Sequence, residues 1–198
     1  MTGTTTQTPQ LLLQASPDWQ DYELVDSGDG FKLERYGKYL LKRPEPEAVW
    51  RPALDEKTWN SAHAFFRTSN EENGGHWETL KPVDEHWVMQ YKDLKFYSQL
   101  SASRHLGVFP EQASQWDWLR ERVQAAPRSL QVLNLFGYTG IATLAAAAAG
   151  AKVTHVDASR KVINWARDNQ ELSGLGDRPV RWILDDALKF IQREARRG

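Results

Sequence analysis

The chain reads as an α/β protein, a small β-rich part followed by a parallel sheet wound with helices. Three observations carry this reading. Residues 131–135 (Gln-Val-Leu-Asn-Leu) form an apolar run that enters the glycine turn Gly137-Tyr138-Thr139-Gly140. A second apolar run, Lys152 to Val156, closes on Asp157. Between residues 21 and 43 apolar and polar residues alternate around glycine turns, the period of half-buried antiparallel strands.

Each element follows from its own pattern. Residues 1–18 are polar and Thr/Gln-rich and read as a disordered lead-in. Tyr22 and Leu24, Phe31 and Leu33, then Tyr39 and Leu41 give a three-stranded meander with its own small core. Helix is expected near 55–66, an exposed loop over 69–75, and a hairpin turning at Lys92-Asp93, whose second strand buries Leu94, Phe96 and Leu100. A helix over 114–123 then carries Trp118, Leu119 and Val123 on one side. Strand 131–135, helix 139–149 stopped at Gly150, strand 152–156, helix 159–172, strand 180–184 and helix 187–197 complete the series. Leu188, Ile191 and Ala195 mark the apolar side of that last helix. Strand–helix alternation of this kind implies right-handed crossovers and a parallel sheet. The expected division is 1–18, 19–100 and 101–198.

Composition excludes several classes. Hydrophobic residues make up 40% and charged residues 26% of the 198, ordinary for a globular protein. A net charge of −1 shows no global basic footprint. There is no cysteine, hence no disulfide, thiolate metal site or cysteine nucleophile within these residues. Leu11-Leu12-Leu13 is too short for a membrane span or signal core, so the chain reads as cytoplasmic, without a membrane partner. The histidines at 63, 76, 86, 105 and 155 show no metal-type spacing, and no metal is expected. His155 reads as a structural residue of its strand.

The glycine turn selects among nucleotide ligands. It lacks both the G-x-G-x-x-G fingerprint and the phosphate loop ending in Gly-Lys. Between Ala126 and Lys152 the only cation is Arg128, before the strand, so a pyrophosphate has no partner there. A nucleoside without phosphates fits better, and S-adenosylmethionine is such a ligand. Its amino-acid end would meet main-chain amides of the turn, and its ribose hydroxyls the Asp157 carboxylate. Helix capping is the competing role for Asp157. At the third strand's end Asp186, with Asp185 as second choice, would accept a hydrogen bond from the adenine amino group, again unless it merely caps.

The segments NLFGYTG (134–140), HVDAS (155–159), ARDNQELSGL (166–175), DDALKF (185–190) and GVFPEQASQWDWL (107–119) together resemble class I S-adenosylmethionine-dependent methyltransferases. The similarity is to the branch containing the large-subunit ribosomal RNA enzymes, over roughly residues 20–198. The resemblance implies a partial Rossmann-like sheet, a base in ribosomal RNA as acceptor, and RNA as partner. It implies that Asn134, Phe136, Gly137, Tyr138, Thr139 and Gly140 wrap the methionine end. Asp157 and Ala158 would lie at the ribose and adenine, Asp185, Asp186 and Ala187 at the adenine edge, and Phe109 and Gln112 would close over the site. It also implies a fourth strand ending in a D-P-P-K-like motif, which these residues do not contain. The chain therefore reads as the cofactor-binding portion of a longer enzyme, expected to bind cofactor without turning over. Two rivals are a nicotinamide-dependent oxidoreductase and a non-catalytic binding module. The acceptor atom, the catalytic residues and the oligomeric state are left open.

Overall fold

The computed structural model describes residues 13–16, 19–69 and 74–197. Its first layer is a five-stranded sheet in the order β1 (Tyr22–Gly28), β2 (Phe31–Tyr36), β3 (Tyr39–Pro44), β4 (Ala64–Thr68) and β5 (Gly75–Thr79). The meander β1–β3 is antiparallel, as its alternation requires, and β4 adds parallel to β3 after a crossover that holds the short helix α1 (Glu56–Trp59). The helix expected near 55–66 is thus a single turn. Ala62, Ala64 and Phe66 are buried, and the chain leaves α1 for strand pairing.

The hairpin β6 (Trp87–Tyr91) and β7 (Leu94–Ser98) forms as expected, with Leu94 and Phe96 buried on one parity. A single 3-10 turn over Pro110–Gln112 leads into α2 (Ala113–Gln124). Here Trp116, not Trp118, is the buried tryptophan; Trp118 is 47% exposed. The two are half a turn apart, and Trp116 packs between Trp19 and Tyr91.

The parallel sheet has the order β10 (Val180–Leu184), β9 (Lys152–Asp157), β8 (Gln131–Leu135). Helices α3 (Ile141–Ala148), α4 (Arg160–Leu172) and α5 (Ala187–Ala195) connect or follow these strands. In α5 the buried residues are Ala187 and Phe190, while Leu188 is 63% and Ile191 40% exposed. The buried face is offset by one residue, about 100°, from the side marked by Leu188 and Ile191. Phe190 claims the sheet, and Leu188 and Ile191 are left outward.

The meander's expected private core is a shared one. A single apolar cluster joins Tyr36, Tyr39 and Leu41 of the first sheet to Met89 and Phe96 of the hairpin and to Ile141, Leu144 and Ala145 of α3. The alanine run of α3 is what permits this, because small side chains let α3 lie close beneath the hairpin. A charged link reinforces the junction. Arg43 of β3 is buried and grips Glu34 through two hydrogen bonds, 2.7 Å from Nε and 2.8 Å from Nη2. It also donates to the Tyr36 hydroxyl and to the Arg104 carbonyl, 3.0 Å away. The lead-in expected over 1–18 falls mostly on residues outside those described, as do residues 70–73 of the expected exposed loop.

Candidate functional site

The parallel register brings the ends of the three strands together. Leu135 pairs with Val156, Leu184 pairs with Asp157, and the Asp185 amide donates to the Asp157 carbonyl at 3.1 Å. Phe136, Asp157 and Asp185 therefore begin the three loops at one sheet edge, the place where open α/β sheets hold ligands.

The turn after β8 is unusual in its backbone. Phe136 and Tyr138 take left-handed φ values of 53° and 51°, and Gly140 takes 86°. For the two aromatic residues such conformations cost on the order of 1–3 kcal/mol each. Their hydrogen bonds offset it. The Gly137 amide donates to the Val156 carbonyl at 3.0 Å, and the Tyr138 amide to Asp157 Oδ2 at 3.0 Å. Gly137 itself is not left-handed. It is glycine because a Cβ there would sit 2.3 Å from the His155 ring.

Asp157 is not a helix cap. Ser159 caps α4, its hydroxyl accepting from the Val162 amide, while Asp157 Oδ1 accepts from the Ser159 amide at 2.8 Å. The half-buried carboxylate is thus held by two main-chain donors at the rim of the turn. Each oxygen retains a lone pair for a hydroxyl. Asp186 does cap: its carboxylate accepts from the Lys189 amide at 2.9 Å. Asp185 accepts from the Asp186 amide and pairs with Arg193 at 2.7 Å. Ala187 is buried in the α5 contact, and Ala158 is exposed beside Asp157.

A recess opens over the turn. Phe109, Gln112, Asn134, Phe136, Gly137, Tyr138 and Thr139 line it together with Ile141 and Ala142 at the start of α3. Phe109 and Gln112 thus share one cavity with the turn. Gly140 is the N-cap of α3 and brings no side chain to the first-turn amides. Those amides suit a carboxylate.

Beneath the recess lies a buried polar layer that sequence reasoning missed. Asn134 donates to Thr143 Oγ1 at 2.8 Å, and that hydroxyl lies 2.9 Å from His155 Nδ1. His155 Nε2 is buried without a partner, so His155 is a structural residue that is only half satisfied. Burial pushes its imidazole down to about 4, and it is neutral at pH 7. Asn169 of α4, fully buried, donates to the Thr139 carbonyl and accepts from the Tyr97 amide, both at 2.9 Å. Thr139 in turn donates to the Gly107 carbonyl. Gly107 has φ 95°, and the Trp165 ring would strike any Cβ there. The turn, β7 and the segment covering it are one hydrogen-bonded unit. Asn169 lies within ARDNQELSGL, but spacing alone gave it no role.

A family model described as "S-adenosylmethionine-dependent methyltransferase" matches residues 44–192. The chain belongs to this methyltransferase family. It is 49% identical to a solved SAM-dependent methyltransferase from Agrobacterium tumefaciens, with a TM-score of 0.88, covering 95% of this chain and 60% of that one. It is 26% identical over 172 residues to ribosomal RNA large subunit methyltransferase K of Neisseria meningitidis, covering 83% of this chain and 48% of the relative. Methyltransferase K/L of Shewanella loihica is 47% identical over 73 residues, 36% of this chain and 10% of that protein. The chain thus spans about half or less of these curated relatives.

The methyltransferase residues described above fit the family's cofactor, S-adenosylmethionine. An uncapped helix start suits its carboxylate, and a fixed acid at the second strand's end suits its ribose. Among the described residues no lysine lines the recess. When bound, the cofactor supplies an electrophilic methyl group for direct displacement. The protein's contribution is to hold and align.

Proposed function

We propose that this chain carries the cofactor-binding portion of a methyltransferase that acts on a base in ribosomal RNA. The observation that carries the reading is Asp157: a carboxylate fixed by the Tyr138 and Ser159 amides at the end of the second parallel strand, beside the turn that lines the recess. Phe136 to Gly140, Asn134, Phe109 and Gln112 enclose the methionine end, and Asp157 and Ala158 meet the ribose. Asp185 and Asp186 border the adenine, with whatever carboxylate lone pairs their cap and ion pair leave free. Residues 19–100 serve acceptor recognition and 101–198 serve the cofactor. The names of the curated relatives support RNA as the acceptor. The family match favours this reading over the nicotinamide alternative.

Calorimetry tests it. S-adenosylmethionine and its demethylated product should each bind at one site, and NAD should not. Binding unchanged by Asp157→Ala would overturn the assignment. Among the described residues no helix is long and apolar enough to cross a membrane.

A further inference from the structure

A second recess, of about 190 Å³, lies on the other side of Phe109 from the cofactor turn. Its walls come from both parts of the molecule: Lys32, Arg43 and Glu45 from the first sheet and its exit, Arg104, His105 and Glu111 from the covering segment. Val108 and Phe109 line both recesses, so the two cavities share a wall.

Rings mark the path between them. His105 and Phe109 have centroids 4.9 Å apart, and Phe109 and Tyr138 lie 5.1 Å apart. All three are half-buried, each with some surface open. Flat half-exposed rings in sequence are how proteins hold unstacked nucleobases.

The charge is as informative. Lys32 pairs with Glu45 at 2.9 Å and Arg43 with Glu34, whereas the exposed Arg104 makes no salt bridge among the described residues. His105 is pushed down to about 4 by burial, then by Arg43, Arg104 and Lys32. The ring therefore sits neutral beside three cations, with Glu45 and Glu111 on the same wall. A larger cleft of about 600 Å³ beside β7 and α4 differs: Asp168 and Glu171 outnumber Lys161 on its wall, and a phosphate would be repelled there.

We infer that the smaller recess is the subsite for one nucleotide of a single-stranded RNA acceptor, its base against the His105 and Phe109 rings and its phosphate on Arg104. This deepens the methyltransferase reading and rests on it. Lys32 and Glu45, with Glu111, offer one donor group and two acceptor groups to a base edge.

The test uses the chain saturated with S-adenosylhomocysteine and titrated with the four ribonucleoside 5′-monophosphates. The His105 Hε1 resonance, assigned through His105→Gln, is followed by NMR. A saturable shift with the cofactor product still bound is expected for at least one nucleotide. Arg104→Ala should weaken it by about three- to tenfold, the share of one charge-assisted phosphate contact, and leave S-adenosylhomocysteine affinity unchanged. No shift, a shift abolished by saturating cofactor product, or a shift indifferent to Arg104→Ala would each overturn the subsite alone. Failure of S-adenosylhomocysteine itself to bind would overturn the methyltransferase reading and the subsite with it.

Discussion

Three residues decide the site's local chemistry: Asp157, Gly137 and His155. Asp157 braces the turn with one carboxylate, one oxygen on the Tyr138 amide and the other on the Ser159 amide. Asp157→Ala is therefore expected to weaken cofactor binding by at least about tenfold, roughly 1.4 kcal/mol, as read by calorimetry. Gly137→Ala drives a methyl group into the His155 ring. It should destabilise the fold by about 1–3 kcal/mol in denaturant melts. Because the clash is with one ring, Gly137→Ala with His155→Ala should cost measurably less than the two single changes added. His155 also sets a pH dependence. Its folded value is about 4 against an ordinary 6.5. Between those values the unfolded chain holds the proton and the folded chain does not, so stability falls as pH drops from 6.5 toward 4. The full contribution is on the order of 3 kcal/mol. Melts across this range should show the fall, and His155→Asn should flatten it.

Among the elements, α4 joins what the sequence treats as separate. Its Ser159 cap and its buried stripe of Ile163, Ala166 and Asn169 follow helical spacing. Asn169, however, spends its amide on the Thr139 carbonyl and the Tyr97 amide. Asn169→Leu, of the same branching and heavy-atom count but without donors or acceptors, leaves those two backbone groups unpaired. The expected loss is about 1–3 kcal/mol of stability for each group left unsatisfied. Cofactor affinity should fall too, because the turn loses its lower support; unchanged affinity in the folded variant would show that the turn holds itself. Most of these elements were legible. Strands β8 to β10 were bounded to within a residue because long apolar runs end on glycine or acid. The exposed side of α5 was misassigned because Ala187-Phe190 and Leu188-Ile191 both have spacing three. Only the position of the sheet chooses between them.

Across the whole molecule, the first sheet and the parallel sheet melt together or not at all. One apolar cluster reaches from the first sheet through the hairpin to α3, whose Ala146 and Ala147 pack with Val153 of the parallel sheet, and Arg43 and Glu34 bury their charges at the junction. A single calorimetric transition is expected, with fluorescence and circular dichroism midpoints coincident. Arg43→Met strands the Glu34 carboxylate in the interior. It should cost about 3–5 kcal/mol, much of it recovered by adding Glu34→Gln.

By itself the sequence determined the α/β class, the strand ends and the type of ligand. Those rest on patterns local in the chain: apolar period, turn glycines and acids at fixed places. Only the tertiary structure decided why Gly137 is glycine, which tryptophan of α2 is buried, and that Arg43 reaches the recess beside Phe109. Each of those depends on a partner 18 to 97 positions away, His155, Tyr91 or Trp19, and Arg104. Packing brings such partners together, and periodicity along one element carries no record of them.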